Sequence, residues 1–145
     1  MTDTELVLYK ALQPHFPQDW RVGDWLYHDT QGYGVIGEIH ISYGVRWLRT
    51  TFDDGKSYFG LDSENCTHLP LPIYPGDTER IAKGEQPRGL WGMVDWRRFH
   101  IAGSFDDGTV YMIDRKSKHA KVIIATPTEA LLRALAAQWG VEVKE

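Results

Sequence analysis

Apolar and polar residues alternate in short runs through residues 21–71, and the runs are separated by turns that contain glycine. An alternation with a period of two places the apolar side chains on one face of a β-strand. Glycine and Asp-Gly steps between the runs favour tight reversals of the backbone. The pattern predicts a bulge at Gly37 and short strands at residues 25–28, 35–41, 45–52, 57–61 and 66–69.

Helical spacing of apolar residues occurs near both ends of the chain. Residues 4–16 carry an apolar stripe, and Pro14 and Pro17 end the pattern. We expect a short helix there that packs on the first sheet and covers one mouth of it. The segment Thr126-Pro127-Thr128-Glu129 has the sequence of a capping box with proline in the first turn, in which Glu129 reaches back to the start of the helix. It predicts a helix over residues 127–139 that ends at Gly140.

The second half of the chain shows its own strand pattern. We expect the last of its strands to be buried, because its apolar residues are contiguous. The predicted strands are residues 90–94, 96–105, 109–113 and 121–125. The segments Phe52-Asp53-Asp54-Gly55 and Phe105-Asp106-Asp107-Gly108 match each other. An internal repeat or two hairpins with the same turn chemistry explain this match, and the differing flanks favour the second explanation.

Together these elements predict an α+β protein in four segments. Residues 1–20 hold the N-terminal helix and residues 21–71 a five-stranded barrel. A proline-containing linker follows at residues 72–89. Residues 90–145 form a small antiparallel sheet that is packed by the C-terminal helix.

The predicted barrel carries a recurring arrangement of glycine and apolar residues. It runs through Val22-Gly23-Asp24, Tyr27-His28, Gly34-Val35-Ile36, Phe52-Asp53-Asp54-Gly55 and Cys66-Thr67-His68-Leu69. This arrangement is similar to SH3/Tudor-like barrels. It resembles those of CarD-type RNA-polymerase-binding regulators and the C-terminal Tudor-like module of superfamily-one DNA helicases. The resemblance implies a non-catalytic barrel that docks protein or nucleic acid. Residues 126–137 also resemble the terminal helix of small phage and prophage accessory proteins.

Composition and charge narrow the possible settings and partners. The 145 residues are 42% hydrophobic and 12% aromatic, which is typical of a folded protein. No apolar run approaches the roughly 18 residues that span a bilayer, the acidic start is unlike a secretory signal, and one cysteine excludes an internal disulfide. We therefore expect a cytoplasmic protein with no membrane association. The net charge is −4, with −5 over residues 1–70 and +1 over residues 71–145, so neither half has the positive excess of a duplex-DNA binder.

Acidic pairs and one cysteine are the candidates for catalytic or metal chemistry. Asp53-Asp54 and Asp106-Asp107 can supply oxygens to a divalent cation, but hairpin-turn chemistry explains both pairs. Cys66 and His68 share a face of one predicted strand, and a buried cysteine beside a surface histidine accounts for them without zinc or a thiol nucleophile. The sequence contains no phosphate-binding glycine loop and no serine-centred elbow. We expect no catalytic, metal or cofactor site.

Aromatic and basic residues are interleaved along the predicted strands, in a pattern that suits a binding surface. The predicted binding residues are Tyr27, Tyr33, Trp47, Tyr58, Arg46, Arg49, Arg97 and Arg98.

These observations favour a non-enzymatic binding or adaptor protein of bacterial or phage origin that docks a protein partner. One alternative is a nucleic-acid-binding accessory protein, which the basic run at residues 115–121 would serve. The other is a hydrolase whose site has no recognisable motif. The sequence leaves the oligomeric state open, and an exposed edge strand would allow a dimer.

Overall fold

The chain forms two compact units in a computed structural model. The β unit is Phe16–Leu71, and the αβ unit is Met1–His15 together with Pro72–Glu145. The structure describes residues 1–16, 20–61, 65–116 and 121–144.

The β unit contains one antiparallel sheet with the strand order β4-β3-β2-β1-β5. Its strands are β1 (Trp25–His28), β2 (Gly32–Ser42), β3 (Val45–Phe52), β4 (Ser57–Leu61) and β5 (Cys66–Leu69). Strand β1 pairs with both β2 and β5, so the first four strands form a meander and the fifth returns to the first. All five predicted strands are confirmed, and the predicted bulge is confirmed at the register shift between Ile36 and Glu38.

The predicted closure of this sheet into a barrel is not observed. A closed barrel requires each strand to pair on both sides. Among the described residues, β4 pairs only with β3 and β5 pairs only with β1, so these two strands are the edges of an open sheet.

Side chains on the inner face of the sheet form the core of the β unit. Leu26, Ile36, Leu48 and Phe52 make a buried cluster. Gly34 lies between β1 and β3, and a Cβ atom there would sit 2.7 Å from Thr50 Cγ2 and 2.9 Å from Phe52 Cδ1. Glycine at residue 34 therefore allows β3 to keep the Thr50 and Phe52 side chains in place beside β2.

The αβ unit combines a three-stranded antiparallel sheet, in the order β6-β7-β8, with helices. In the described part of this unit the strands are β6 (Phe99–Ser104), β7 (Val110–Asp114) and β8 (Lys121–Ala125), and the helices are α1 (Asp3–Leu12), α2 (Asp77–Ala82), α3 (Leu90–Met93) and α4 (Pro127–Trp139). Helix α4 packs on α1 and on strands β7 and β8. None of the described helices is long and apolar enough to cross a membrane.

The predicted caps of the terminal helix are confirmed. The Thr126 hydroxyl accepts a hydrogen bond from the Glu129 amide at 3.2 Å, and Gly140 ends the helix with φ of +68°. Glu129 was expected to reach back to the start of the helix. Its carboxylate accepts instead from Arg133 Nε at 3.2 Å, one turn ahead.

Three predictions for the αβ unit are wrong. Helix α1 was expected to cover the first sheet, but it belongs to the αβ unit, where it packs on α4. Residues 90–94 were predicted to be a strand, and they contain helix α3. The predicted buried strand at residues 121–125 is an edge strand whose Val122 and Ile124 side chains are exposed.

Nearby contacts explain why helix α3 forms in place of the predicted strand at residues 90–94. The Trp91 amide donates to the Pro72 carbonyl at 3.1 Å, and the Gly92 amide donates to the Gly89 carbonyl at 3.0 Å. The indole of Trp96 packs on that of Trp91, with ring centroids 4.3 Å apart, and donates to the Trp91 carbonyl. These bonds satisfy the backbone locally, so strand pairing is not needed.

Asp77 is a buried carboxylate that organises the first part of the αβ unit after Pro72. Its Oδ2 atom accepts from the amides of Tyr74 at 2.8 Å and Gly89 at 3.1 Å. Its Oδ1 atom accepts from the Arg88 amide at 2.9 Å and from Arg80 Nη1 at 2.8 Å. Burial raises the pKa of Asp77, but these donors outweigh burial and hold the pKa below its ordinary value.

We predict that Asp77→Asn lowers the free energy of unfolding of the αβ unit by about 2–3 kcal/mol at pH 7, because an amide cannot accept four donors. The pKa of Asp77 is lowered from 3.8, so its contribution is present above that value and is lost as the pH falls through the folded-state pKa. In urea unfolding, the difference in the free energy of unfolding between the native protein and the variant should therefore become smaller in acid. Asp106→Asn, at an exposed turn, is the control and should cost less than about 0.5 kcal/mol. A difference in the free energy of unfolding that is the same at every pH would contradict the prediction.

Candidate functional site

One face of strands β2, β3 and β4 presents aromatic rings to solvent. Trp47 lies opposite His40, and Arg49 lies opposite both Glu38 and Phe59. Opposed residues share a face of the sheet, and so do residues two apart on one strand. The rings of Trp47 and Phe59 stack with centroids 5.7 Å apart and an interplanar angle of 5°. We call Tyr43, Val45, Trp47 and Phe59 the aromatic face.

Charged groups border the aromatic face on one side. His40 Nε2 lies 2.9 Å from Glu38 Oε2, and Arg49 Nε lies 3.5 Å from the same oxygen. The hydrogen bond from His40 and then the charge of Arg49 lower the pKa of Glu38. The Arg49 guanidinium also lies 5.8 Å from the centroid of the Phe59 ring, within reach of a cation–π contact. The aromatic face thus has a polar rim, as protein interfaces do.

The turn between β2 and β3 places Tyr43 at the tip of the hairpin. Tyr43 has φ of +53° and Gly44 has φ of +75°, so both central residues of this two-residue turn are left-handed. Such turns normally use Asn-Gly, and a bulky residue in the left-handed region costs about 1 kcal/mol. The Tyr43 side chain is 103% exposed, so packing offsets little of this cost. Strain that is kept at an exposed aromatic residue points to a function for the ring.

A groove of about 500 Å³ runs along this end of the sheet. It is lined by His40, Ser42, Tyr43, Val45, Trp47 and Phe59. A planar group or an apolar side chain that enters the groove can stack on the tryptophan and phenylalanine rings.

A second cavity, of about 190 Å³, opens on the opposite face of β3 and β4. We call it the edge pocket. It is lined by Leu26, His28, Gln31, Leu48, Thr50, Phe52, Tyr58, Phe59, Gly60 and Cys66. Core residues form its floor, and residues from both sheet edges form its walls, so the cavity occupies the gap that closure of the barrel would have filled.

His28 presents a defined hydrogen-bond donor at the edge pocket. Its Nδ1 atom accepts from the backbone amides of Thr30 and Gln31, each at 3.2 Å. An imidazole nitrogen that accepts two amide hydrogens carries no proton, so the proton of the neutral ring is on Nε2. Among the described residues, Nε2 has no hydrogen-bond partner.

The structure reverses the predicted burial of Cys66 and His68. His68 is buried, whereas Cys66 is partly exposed at the edge pocket. His68 Nε2 donates to Asp24 Oδ2 at 2.5 Å, and the Trp20 indole stacks on the imidazole with centroids 4.4 Å apart. The Asp24 carboxylate also accepts from the Arg21 amide at 3.0 Å. Asp24 and His68 are therefore a buried pair, and their hydrogen bonds hold the segment before β1 against β5.

The predicted binding residues separate into several groups. Trp47 and Arg49 meet on the outer face of the sheet, and Tyr58 lines the edge pocket. Tyr27 and Tyr33 form a cross-strand pair with centroids 4.9 Å apart. Arg46 lies on the face of β3 opposite to Trp47, paired with Ile41.

The two predicted arginines of the αβ unit have different surroundings. Arg97 is exposed. Arg98 binds the buried Asp114 carboxylate through two hydrogen bonds, Nε to Oδ1 and Nη2 to Oδ2, each of 2.9 Å. The hydrogen bonds from Arg98 lower the pKa of Asp114 and outweigh burial, which raises it. The Arg98 guanidinium is thus engaged within the αβ unit.

Five residues of the aromatic face and its polar rim were not predicted from the sequence: Tyr43, Val45, Phe59, His40 and Glu38. The alternation along β4 was the available signal, since Phe59 has the same parity as Ser57 on the exposed side. The pairing register that brings Phe59 beside Trp47 is not encoded locally.

The described residues contain no group of three or more His, Cys, Asp or Glu side chains that could hold a metal ion. Comparison of the chain with protein-family models, with curated proteins and with solved structures finds no match.

We predict that Asp24→Ala destabilises the β unit by about 3 kcal/mol, because it leaves the His68 imidazole and the Arg21 amide without this buried acceptor. Urea unfolding followed by tryptophan fluorescence measures the loss. Asp29→Ala removes an exposed carboxylate from the same unit and should change the unfolding free energy by less than about 0.5 kcal/mol. Equal losses in the two variants would show that the buried pair does not hold the sheet.

Proposed function

We propose that this chain is a non-enzymatic docking protein that binds a protein partner through the aromatic face of the β unit. The observation that carries the proposal is the strained, fully exposed Tyr43 beside the stacked Trp47 and Phe59 rings. Exposed tyrosine and tryptophan contribute much of the binding energy at protein interfaces. A monomeric surface gains nothing in stability from holding such rings in water.

The charge of the β unit supports a protein partner over a nucleic acid. Residues 16–71 contain eight Asp or Glu and four Lys or Arg residues, which gives a net charge of −4. A phosphate backbone would be repelled by this unit, because nucleic-acid affinity depends on a positive surface. A partner segment with apolar and basic side chains complements both the rings and the charge.

We also propose that the β unit is an SH3/Tudor-like module. Its support is the strand order, in which β1 lies between β2 and β5 and the first four strands form a meander. The open gap between β4 and β5 departs from a closed barrel. The cytoplasmic location and the bacterial or phage origin stay predictions from the sequence.

The hairpin tip allows a test in which stability and binding move in opposite directions. We predict that Tyr43→Asn raises the free energy of unfolding by about 0.5–1 kcal/mol, because asparagine tolerates the left-handed conformation. The same variant should bind the partner at least about tenfold more weakly if the ring contributes as an interface hot spot. Urea unfolding measures the first effect, and affinity capture followed by titration with the identified partner measures the second.

Phe105→Asn is a matched control, because it removes a half-exposed ring from the αβ unit. It should leave partner affinity unchanged. Equal affinity of the Tyr43→Asn variant and the native protein would contradict docking through this face. If the captured material is nucleic acid, and its affinity falls steeply as the salt concentration rises, the protein-docking proposal is wrong and the nucleic-acid-binding alternative is favoured.

A further inference from the structure

We propose that the edge pocket receives one uncharged, apolar side chain from the partner that docks on the aromatic face. This inference rests on the proposed function and adds the chemistry of the docked segment. Three observations carry it: the size of the pocket, the character of its walls, and the position of Phe59.

The size of the pocket selects a group as large as one side chain. Its volume is about 190 Å³. Pockets that bind cofactors or drug-sized ligands usually have volumes of about 300–1,000 Å³, which is larger than the edge pocket. A leucine, methionine or phenylalanine side chain is a better match to the space than a nucleotide or a flavin.

The walls of the pocket select an uncharged group. None of the described residues that line it is an Asp, Glu, Lys or Arg, and the core residues Leu26 and Leu48 form the floor. A charged side chain that entered would lose its hydration and find no ionic partner among these described residues. His28 is one of the lining residues, and its Nε2–H can donate to a backbone carbonyl of the same partner segment.

Phe59 joins the pocket to the aromatic face. It lines the groove beside Trp47 and also lines the edge pocket. Successive residues of an extended segment point to opposite sides. A segment that crosses β4 can therefore place one side chain in the pocket and the next against the rings. The charge of −4 on residues 16–71 favours basic residues elsewhere in that segment.

Gly60 provides a way to fill the pocket without changing the fold. It lies on β4, its φ is not positive, and a Cβ atom there would meet no atom of the described part of the chain within 4 Å. Valine also suits a strand better than glycine does. Gly60→Val should therefore fold with unchanged or higher stability while its side chain occupies the pocket. Gly103→Val, on β6 with equally open surroundings, is the matched control.

The test is an amide and side-chain NMR titration of the full chain with capped amino acids. N-acetyl-leucine methylamide should shift the resonances of His28, Gly60 and Cys66 with a Kd of about 1 mM, the affinity expected for a ligand of this size. The lysine and aspartate analogues should bind at least about tenfold more weakly. Gly60→Val should weaken leucine-analogue binding at least about tenfold, and Gly103→Val should leave it unchanged.

Two results would overturn the proposal. One is the absence of shifts at the pocket up to about 10 mM leucine analogue, and the other is equal binding of the charged analogues. The titration needs no partner, so it separates this inference from the proposed function. The Tyr43→Asn variant should still bind the leucine analogue. Its affinity for the partner is a separate measurement, which tests the proposed function.

Discussion

A buried carboxylate holds together the backbone at one place in each unit, and other features depend on these two groups being satisfied. Asp24 binds the His68 ring through its side chain, and its carbonyl accepts from the Ile36 amide at 3.0 Å, so it connects three strands of the β unit at one point. Asp77 gathers three backbone amides and Arg80 in the αβ unit. A buried carboxylate is costly to leave without donors, so each one requires its surrounding loop to adopt a single arrangement.

This anchoring acts on one side of the open sheet. Asp24 and His68 fasten β1, β2 and β5 to each other, whereas β4 is held by β3 alone among the described residues. The core therefore lies close to solvent beside β4, where Leu26 and Leu48 form the floor of the edge pocket. The two features proposed for binding, the aromatic face and the edge pocket, occur on the two sides of this one strand. If β4 also paired with a strand on its other side, the pocket would be closed and β4 would no longer be an edge strand.

The hairpin tip shows a local conflict of the kind that marks functional positions. Asparagine or glycine would satisfy the backbone between β2 and β3, and Tyr43 does not. Its ring gains no packing in return, since it is fully exposed. Local rules are expected to fail at functional sites, where binding rather than folding determines the residue.

Local chemistry in the sequence was enough to determine the five strands of the β unit, the bulge at Gly37 and the capped helix that begins after Thr126. Period-two alternation, turn glycines and a capping hydroxyl act over a few residues, so the chain carries these signals without its tertiary contacts. Trp47 and Arg49 were predicted as binding residues from the sequence, and both lie on the outer face of the sheet; their binding role stays a prediction. The tertiary structure alone decided which unit receives α1, that residues 90–93 are helical, that the sheet stays open, and that Phe59 stacks on Trp47. The placement of α1, the open sheet and the Phe59–Trp47 stack depend on contacts between segments far apart in sequence, whose register and burial no local pattern specifies. Helix α3 depends in part on the Pro72 carbonyl, which accepts from the Trp91 amide.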